Sequence, residues 1–247
     1  MNPIAFTIGG WPVRWYGILI ATALLLGVFL ATYLGKKRGL NEDNLWTMVL
    51  CAIPVAVIGS RIYYVIFEWS HYADNLWEIF AIWHGGLAIH GTIIGGTLAV
   101  ICCCLYYKMD FFEVGDCFAP ALVLGQAIGR WGNYFNGEAH GYATDLPWAI
   151  NVDGVMVHPT FLYESLWDLG IFILLMVLFK KNKQRGNLVL IYLMLYSVGR
   201  FFIEALRTDS LMIGFLRQAQ VFSITLFVVA LAVYIYRNFY KAKKGLK

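Results

Sequence analysis

Residues 15–35 read WYGILIATALLLGVFLATYLG, a run of 21 residues without a charged side chain. A helix needs roughly 20 apolar residues to cross a bilayer core about 30 Å thick. The rest of the chain has the same character, because 60% of its 247 residues are hydrophobic, only 14% are charged and the mean hydropathy is +0.65. A soluble domain carries about 25% charged residues. The sequence therefore predicts an all-α polytopic membrane protein.

Six further apolar runs follow the first, so we predict about seven transmembrane helices in a single integral membrane domain, residues 1–247. The spans are expected near 15–35, 45–67, 87–107, 117–135, 160–180, 188–207 and 218–236. Two longer connections remain, an aromatic extracytoplasmic arm at 68–86 and a small extracytoplasmic cap at 136–159. Within the cap, Asp153-Gly154 separates two β-prone runs and predicts a short β-hairpin.

The basic residues indicate the orientation of the chain. The arm and the cap contain no Lys or Arg, whereas the alternate connections and the C-terminal tail contain all ten lysines and three arginines. These residues are Lys36, Lys37, Arg38, Lys108, Lys180, Lys181, Lys183, Arg185, Arg237, Lys241, Lys243, Lys244 and Lys247. Because basic connections stay in the cytoplasm, we expect an extracytoplasmic N-terminus and a cytoplasmic C-terminus.

The six other basic residues are all arginines. They are Arg14, Arg61, Arg130, Arg200, Arg207 and Arg217. An arginine within a span costs at least about 2.5–3.5 kcal/mol on insertion scales, so it needs a partner or a function. Its planar fork binds phosphate or carboxylate through two parallel hydrogen bonds. From the helical rise, the arginines within spans are expected in the outer half of the bilayer rather than along a path across it.

Two predicted spans carry polar clusters. Tyr196, Arg200 and Glu204 recur at i, i+4 and i+8, and Arg207 follows one turn later, so we predict that all four share a helix face. The alternative is an Arg200–Glu204 pair that only neutralises itself. The fourth span and its continuation carry a second cluster. It consists of Arg130, Asn133, Asn136, Glu138 and Gly141. Close helix packing explains glycines in this region but not the polar residues.

The third span opens with two histidines, His84 and His90, beside a G-x-x-x-G formed by Gly91 and Gly95. A buried histidine is often only a hydrogen-bonded core residue, but two in a glycine-rich helix entry favour a functional interpretation. No H-x-x-H or H-E-x-x-H arrangement occurs, so a metal site is not predicted. The five cysteines lie in apolar runs and are interpreted as small membrane-facing residues.

Several motifs together resemble the prolipoprotein diacylglyceryl transferase family. They are HGGLAIHG at 84–91, GRWGNYFNGE at 129–138, RWYG at 14–17, HPT at 158–160 with LYE at 162–164, and GRF at 199–201 with Glu204 and Arg207. The resemblance extends from about Arg14 to Gln220, and the segment at 129–138 is its most specific part. One departure is Thr160, where serine is expected; threonine keeps the hydroxyl.

The resemblance implies an enzyme of the bacterial plasma membrane. It would transfer the sn-1,2-diacylglyceryl group from phosphatidylglycerol to the lipobox cysteine thiol of prolipoprotein signal peptides and release glycerol 1-phosphate. No cofactor, metal or nucleic acid is expected; the partners are phosphatidylglycerol, the signal peptide and the lipid bilayer.

The resemblance also implies site residues. His90, Arg130 and Arg200 are the expected catalytic residues, with Arg130 also binding phosphatidylglycerol. The expected substrate-binding residues are Tyr16, Asn133, Glu138, Gly141, Tyr196 and Glu204. Asn136 and Arg207 are added because they belong to the polar clusters described above. His90 is the expected acceptor of the thiol proton, with Glu204, Glu138 and an arginine-bound, hydroxide-like water as alternatives.

Three other classes of function remain as alternatives, and one of them is a receptor-like role, which the number of spans also allows. A transporter or flippase for an anionic lipid or metabolite would also need arginines within the membrane. The expected clustering of polar residues in the outer half, the lack of an internal repeat and the odd span count argue against it. An intramembrane serine protease would need a nucleophilic serine, and no serine lies in a G-x-S-x-G setting.

Overall fold

The computed structural model describes residues 2–182 and 184–241. Within these ranges it contains seven helices that are long and apolar enough to cross a bilayer, together with one single-turn α-helix and two 3₁₀ helices, Leu76–Phe80 and Ile82–His84. In chain order the helices are α1 (Trp15–Lys37), α2 (Glu42–Phe67), the single turn α3 (Trp69–Tyr72), α4 (Ile89–Tyr106), α5 (Phe111–Asn136), α6 (Thr160–Lys181), α7 (Asn187–Glu204) and α8 (Gln218–Ile235), which continues as a π-helical segment, Tyr236–Lys241. The predicted polytopic all-α fold is confirmed. Four lysines of the orientation argument, Lys183, Lys243, Lys244 and Lys247, lie outside the described residues.

Side-chain caps explain where two of the helices begin. The side chain of Asn41 accepts a hydrogen bond from the Asn44 N–H (3.2 Å) at the start of α2. Asp110 accepts one from the Glu113 N–H (2.9 Å), and such bonds satisfy N–H groups that the first helical turn leaves without a partner. With Asp110 as its cap, α5 begins at Phe111, several residues before the apolar run near 117.

The end of α7 corrects one expectation about the site. The helix stops at Glu204, and Arg207 therefore does not lie on the helix face of Tyr196, Arg200 and Glu204. Instead Arg207 forms an antiparallel bridge with Gly141 of the cap. The carbonyl of the neighbouring Leu206 accepts a hydrogen bond from the Tyr142 N–H (3.0 Å). Because residues 206 and 207 pair with the cap, α7 ends at Glu204, about one turn before Arg207.

Three antiparallel hairpins lie outside the long helices. They are β1 (Ile4–Ile8) with β2 (Trp11–Arg14), β3 (Ile150–Val152) with β4 (Val155–Val157), and β5 (Met212–Ile213) with β6 (Leu216–Arg217). The hairpin of β3 and β4 was predicted, and its turn residues Asp153 and Gly154 both have positive φ angles (49° and 88°), as type I′ turns require. The other two hairpins were not predicted.

The helices belong to two compact units. One comprises the described residues up to Ala31 and from Gly115 onward, and the other comprises residues 32–114. In the second unit, α2 and α4 approach each other closely through glycines. A Cβ added at Gly59 would lie 2.6 Å from the Gly91 carbonyl oxygen, and one added at Gly95 would lie 2.6 Å from the Val55 carbonyl oxygen. The predicted G-x-x-x-G is therefore a helix-packing motif.

Arg61 holds the arm of residues 68–86 in the second unit. Its buried guanidinium donates from Nε to the Ile79 carbonyl (2.9 Å) and from Nη1 to the carbonyls of Gly85 (2.6 Å) and Gly86 (2.9 Å), and Nη2 donates to the Glu78 carbonyl. These bonds satisfy a charge that would otherwise be costly to bury. Arg61 is thus a structural arginine, although it belongs to the same set as Arg130 and Arg200.

Two of the five cysteines differ from the sequence interpretation. Cys104 and Cys117 are buried within the protein, whereas Cys51 and Cys102 are exposed. Cys104 is one of the buried residues of α4, together with Gly91, Gly95 and Ala99. The small cysteine side chain suits contacts between helices as well as contact with lipid. The sequence alone therefore did not distinguish buried cysteines from lipid-facing ones.

Candidate active site

Glu164 is the centre of an ion-pair cluster in the first unit. It lies in the second turn of α6, and its side chain is 5% exposed. One carboxylate oxygen pairs with Nε of Arg130 from α5, and the other accepts a hydrogen bond from Nη1 of Arg200 from α7 (2.6 Å). Nη1 of Arg207 lies 3.9 Å away. A single carboxylate thus joins three helices and orients two guanidinium groups.

Glu204 is the second carboxylate of the cluster. Its Oε2 lies 2.8 Å from Nη2 of Arg200 and 3.9 Å from Nε of Arg207, and its Oε1 accepts a hydrogen bond from the Ser210 hydroxyl (2.6 Å). The alternative of an isolated Arg200–Glu204 pair is therefore incomplete, because Arg200 bridges Glu204 and Glu164. Such bridging fixes the guanidinium plane in one orientation.

The loop after α7 adds a third set of charged contacts. Arg207 donates from Nε (2.9 Å) and Nη2 (2.8 Å) to the two oxygens of Asp209, the bidentate geometry of an arginine fork. These hydrogen bonds hold the pKa of the Asp209 carboxyl below its ordinary value. Arg217 donates to the Glu204 carbonyl and to the Tyr142 hydroxyl (2.5 Å). The loop is thereby tied to the end of α7 and to the cap.

A narrow cleft opens beside the ion-pair cluster, between α6 and α7. Its lining consists of Glu164, Trp167, Asp168, Tyr196, Gly199, Arg200 and Ile203. Gly199 is needed here because a Cβ at this position would overlap the indole of Trp167, whose Nε1 donates to the Leu195 carbonyl (2.9 Å). The predicted residues Tyr196 and Arg200 thus lie on one wall of the same cleft.

The second polar cluster surrounds Glu138, where α5 gives way to the cap. The side-chain amides of Asn133 (3.0 Å) and Asn136 (3.1 Å) both donate to Oε1 of Glu138. A second narrow cleft lies here. It is lined by Asn133, Tyr134, Gly137, Glu138, His140, Ile150, Val152 and Phe161. The structure thus brings these three predicted residues together as one hydrogen-bonded group.

Two further predicted residues position the backbone in the same unit. A Cβ at Gly141 would lie 2.7 Å from the His158 Cβ and 3.0 Å from the Leu206 carbonyl oxygen, so this part of the cap and the loop after α7 can meet only at glycine. Tyr16, in the first turn of α1, packs its ring against Gly132 of α5, where a Cβ would lie 2.5 Å from the ring.

His90 belongs to the second compact unit, residues 32–114. All the other predicted site residues belong to the first unit. It is the second residue of α4, is half-buried, and stacks its ring on Tyr63 with centroids 5.5 Å apart. His84, the other histidine of the motif, places Nδ1 2.9 Å from Oε2 of Glu78.

Sequence reasoning missed several residues of the site. Glu164 was named only as part of the LYE motif at 162–164, and Asp209, Ser210 and Arg217 were not selected as site residues. A signal for Glu164 was available, because a carboxylate within a span needs a partner as much as an arginine does. No group of three or more His, Cys, Asp or Glu side chains within the described ranges could hold a metal ion.

Comparison with known proteins identifies the family. The profile of prolipoprotein diacylglyceryl transferases matches residues 3–236. The chain belongs to this family. Curated relatives named phosphatidylglycerol–prolipoprotein diacylglyceryl transferase include those of Clostridioides difficile (50% identical over 96% of this chain and 95% of the relative), Clostridium kluyveri (49%; 96% and 96%) and Synechocystis (47%; 94% and 87%). As a prolipoprotein diacylglyceryl transferase family member, the chain is a multi-pass membrane enzyme of the transferase class.

Proposed function

We propose that the chain transfers the sn-1,2-diacylglyceryl group of phosphatidylglycerol to the thiol of a lipobox cysteine in a prolipoprotein signal peptide. The sulfur attacks C3 of the diacylglyceryl unit, the carbon that bears the phosphate, a C–S bond forms, and the bond from C3 to the phosphate oxygen breaks, so that the phosphate leaves with the headgroup glycerol. The products are a thioether and glycerol 1-phosphate. The thiol proton is transferred to a general base of the enzyme. Family membership and the names of the relatives support this reaction.

The observation that carries the proposal is the sharing of Glu164 by Arg130 and Arg200. Glu164 holds the two guanidinium groups close together, and each guanidinium carries five N–H donors in a planar fork. The paired oxygens of a phosphodiester match the geometry of such a fork. We propose that Arg130 and Arg200 bind the phosphate of phosphatidylglycerol, while Glu164 holds both forks in place.

The same arrangement suits the transition state. The leaving phosphate gains negative charge as the C–O bond breaks, and preorganised donors stabilise such charge most where water is scarce. Glu204 with Ser210 fixes Arg200 from its second side. Tyr196 lines the adjacent cleft. We propose Tyr16, Asn133, Asn136, Glu138, Gly141, Tyr196, Glu204 and Arg207 as the substrate-binding and positioning residues.

His90 is proposed as the acceptor of the thiol proton. An imidazole can take up a proton near neutral pH, the task of a general base. Glu204 and Glu138 remain alternatives, since both are carboxylates within the proposed site. We also propose a plasma-membrane location, with the N-terminus and cap outside and the C-terminus in the cytoplasm, on the strength of the lysine distribution.

The test uses the purified full-length chain in vesicles that contain phosphatidylglycerol labelled in its headgroup glycerol. Labelled glycerol phosphate should be released only when a lipobox peptide is added, and the peptide should gain the mass of a diacylglyceryl group. The same peptide with serine in place of its cysteine is the control and should give no release. Release without peptide, or movement of intact lipid between leaflets without any release, would contradict the proposal and favour a hydrolase or a flippase.

A further inference from the structure

The hairpin formed by β5 and β6 has an apolar tip that no other described residue of its compact unit covers. Phe215 is 93% exposed and Leu211 is 73% exposed, and Met212 and Ile213 are both more than half exposed. Residues 211–216 read LMIGFL and contain no charged or hydrogen-bonding side chain. Gly214, with φ +62°, is the first of two turn residues, so the turn presents Phe215 at its outermost point.

The polar residues at the base of the hairpin turn towards the protein instead. Asp209 is paired with Arg207, and the Ser210 hydroxyl donates to Glu204. On the other side, Arg217 donates to the Glu204 carbonyl and to the Tyr142 hydroxyl. The base is closed by the Gln218 N–H, which donates to the Leu211 carbonyl (2.8 Å). The hairpin is therefore polar towards the ion-pair cluster and apolar away from it.

The position of the hairpin in the chain limits where its tip can lie. It connects α7, which ends at Glu204, with α8, which begins at Gln218, and both helices are long and apolar enough to span the bilayer. Three residues of strand reach about 10 Å, while the headgroup layer adds about 5–7 Å to each side of the hydrocarbon core. The tip consequently stays within or close to the headgroup layer in any orientation.

We propose that the hairpin of residues 211–217 is a membrane anchor, whose apolar tip inserts into the lipid at the bilayer surface. A lipid surface is the partner that fits, because the tip offers apolar and aromatic groups without a polar group to orient a peptide. The anchor holds the adjoining loop, from Arg207 to Ser210, at the level of the lipid headgroups. This inference needs only the membrane-spanning helices, so it stands apart from the proposed reaction.

The depth of the tip can be measured with a fluorescent label. Phe215→Cys is made in a chain whose five native cysteines are replaced by alanine, labelled with an environment-sensitive fluorophore, and placed in vesicles. Met212→Cys repeats the test at a second exposed position. Asp153→Cys, at the turn of the hairpin of β3 and β4, is the matched control, because that turn is polar. Quenching is compared between a spin label on the lipid acyl chain and iodide in the water.

The labels at 215 and 212 should be quenched several-fold more strongly by the lipid spin label than by iodide, and the label at 153 should show the reverse order. Iodide quenching at 215 and 212 equal to that at 153 would overturn the proposal. Protection of both tip labels from both quenchers would also overturn it, because it would mean that protein, from a second copy or another chain, covers the tip.

Discussion

At the scale of single residues, the contacts of Glu164 with Arg130 and Arg200 predict that both positions require a guanidinium group and not only a positive charge. Lysine keeps the charge of Arg130 or Arg200 but loses the planar fork. We expect Arg130→Lys and Arg200→Lys each to lower turnover about 10²–10³-fold, the usual effect of losing one charge-stabilising donor. The measurement is glycerol phosphate release at saturating peptide, with Arg38→Lys as a charge-conserving control outside the site. Near wild-type turnover in either variant would show that these arginines only neutralise buried carboxylates.

The proposed role of His90 predicts a change in pH dependence. Glutamine keeps a hydrogen-bonding side chain but cannot accept a proton. General-base help is worth about 10²–10⁴ in rate, so His90→Gln should be slow but measurable. Its pH–rate profile should lose the acid limb, and higher pH should restore part of the rate. A variant with a uniformly lower rate and unchanged pH dependence would assign a hydrogen-bonding role to His90, and the same test would move to Glu204 and Glu138.

The pair of Arg207 and Asp209 predicts a dependence of stability on acid. Because the pKa of Asp209 is lowered in the folded chain, the pair contributes its full stability above the ordinary aspartate value of 3.8 and loses it as the pH falls through the lowered one. The side chain is 48% exposed, so the contribution is small, about 0–1 kcal/mol. Thermal unfolding of wild type and Asp209→Asn should differ most at neutral pH and converge in acid. A difference independent of pH would contradict this assignment.

At the scale of helices, the approach of α2 and α4 can be tested at two adjacent glycines. A Cβ at Gly95 would meet the Val55 backbone at 2.6 Å, whereas one at Gly96 would meet the Ala56 side chain at an ordinary 3.6 Å. Backbone cannot move aside as a side chain can, so Gly95→Ala should destabilise the chain by about 1–3 kcal/mol. Gly96→Ala should be neutral or stabilising, by up to about 1 kcal/mol from helix propensity.

Thermal unfolding in detergent compares the two variants, which carry the same added methyl group on the same helix. Equal stability of Gly95→Ala and Gly96→Ala would mean that the two helices do not depend on this close contact. The arm of residues 68–86 is a second readout, because Arg61 of α2 holds its carbonyls. Protease cleavage within the arm should increase in Gly95→Ala and remain unchanged in Gly96→Ala.

At the scale of the whole molecule, the proposed orientation predicts which connections meet the outside. In a chain without its native cysteines, Asp153→Cys in the cap should react with a membrane-impermeant thiol reagent added to intact cells. Gln184→Cys, between α6 and α7, should react only after the cells are opened. Labelling of both positions from the same side would overturn the orientation and the argument that the spanning arginines lie in the outer half of the bilayer.

Composition and local pattern were sufficient to predict the helices and the hairpin at Asp153-Gly154, and to select most of the candidate site residues. Each of these depends on neighbouring residues: a spanning helix must satisfy its own backbone within the bilayer, and a two-residue turn with positive φ angles selects Asp-Gly. The charged residues within spans were equally visible, because a charge in a membrane needs a function or a partner.

Pairing between distant residues was decided only by the tertiary structure. Glu164 joins Arg130 and Arg200, which lie 34 and 36 residues away, and nothing in the local pattern of α6 indicates that choice. Arg61 and Arg200 are both arginines within predicted spans, and the sequence does not distinguish them. In the structure Arg61 binds backbone carbonyls of the arm, whereas Arg200 binds carboxylates. The predicted helical position of Arg207 was wrong for the same reason, because Gly141 of the cap forms a β-bridge with its backbone. Local propensity sets which elements form, whereas the partner of a buried charge depends on which elements pack together.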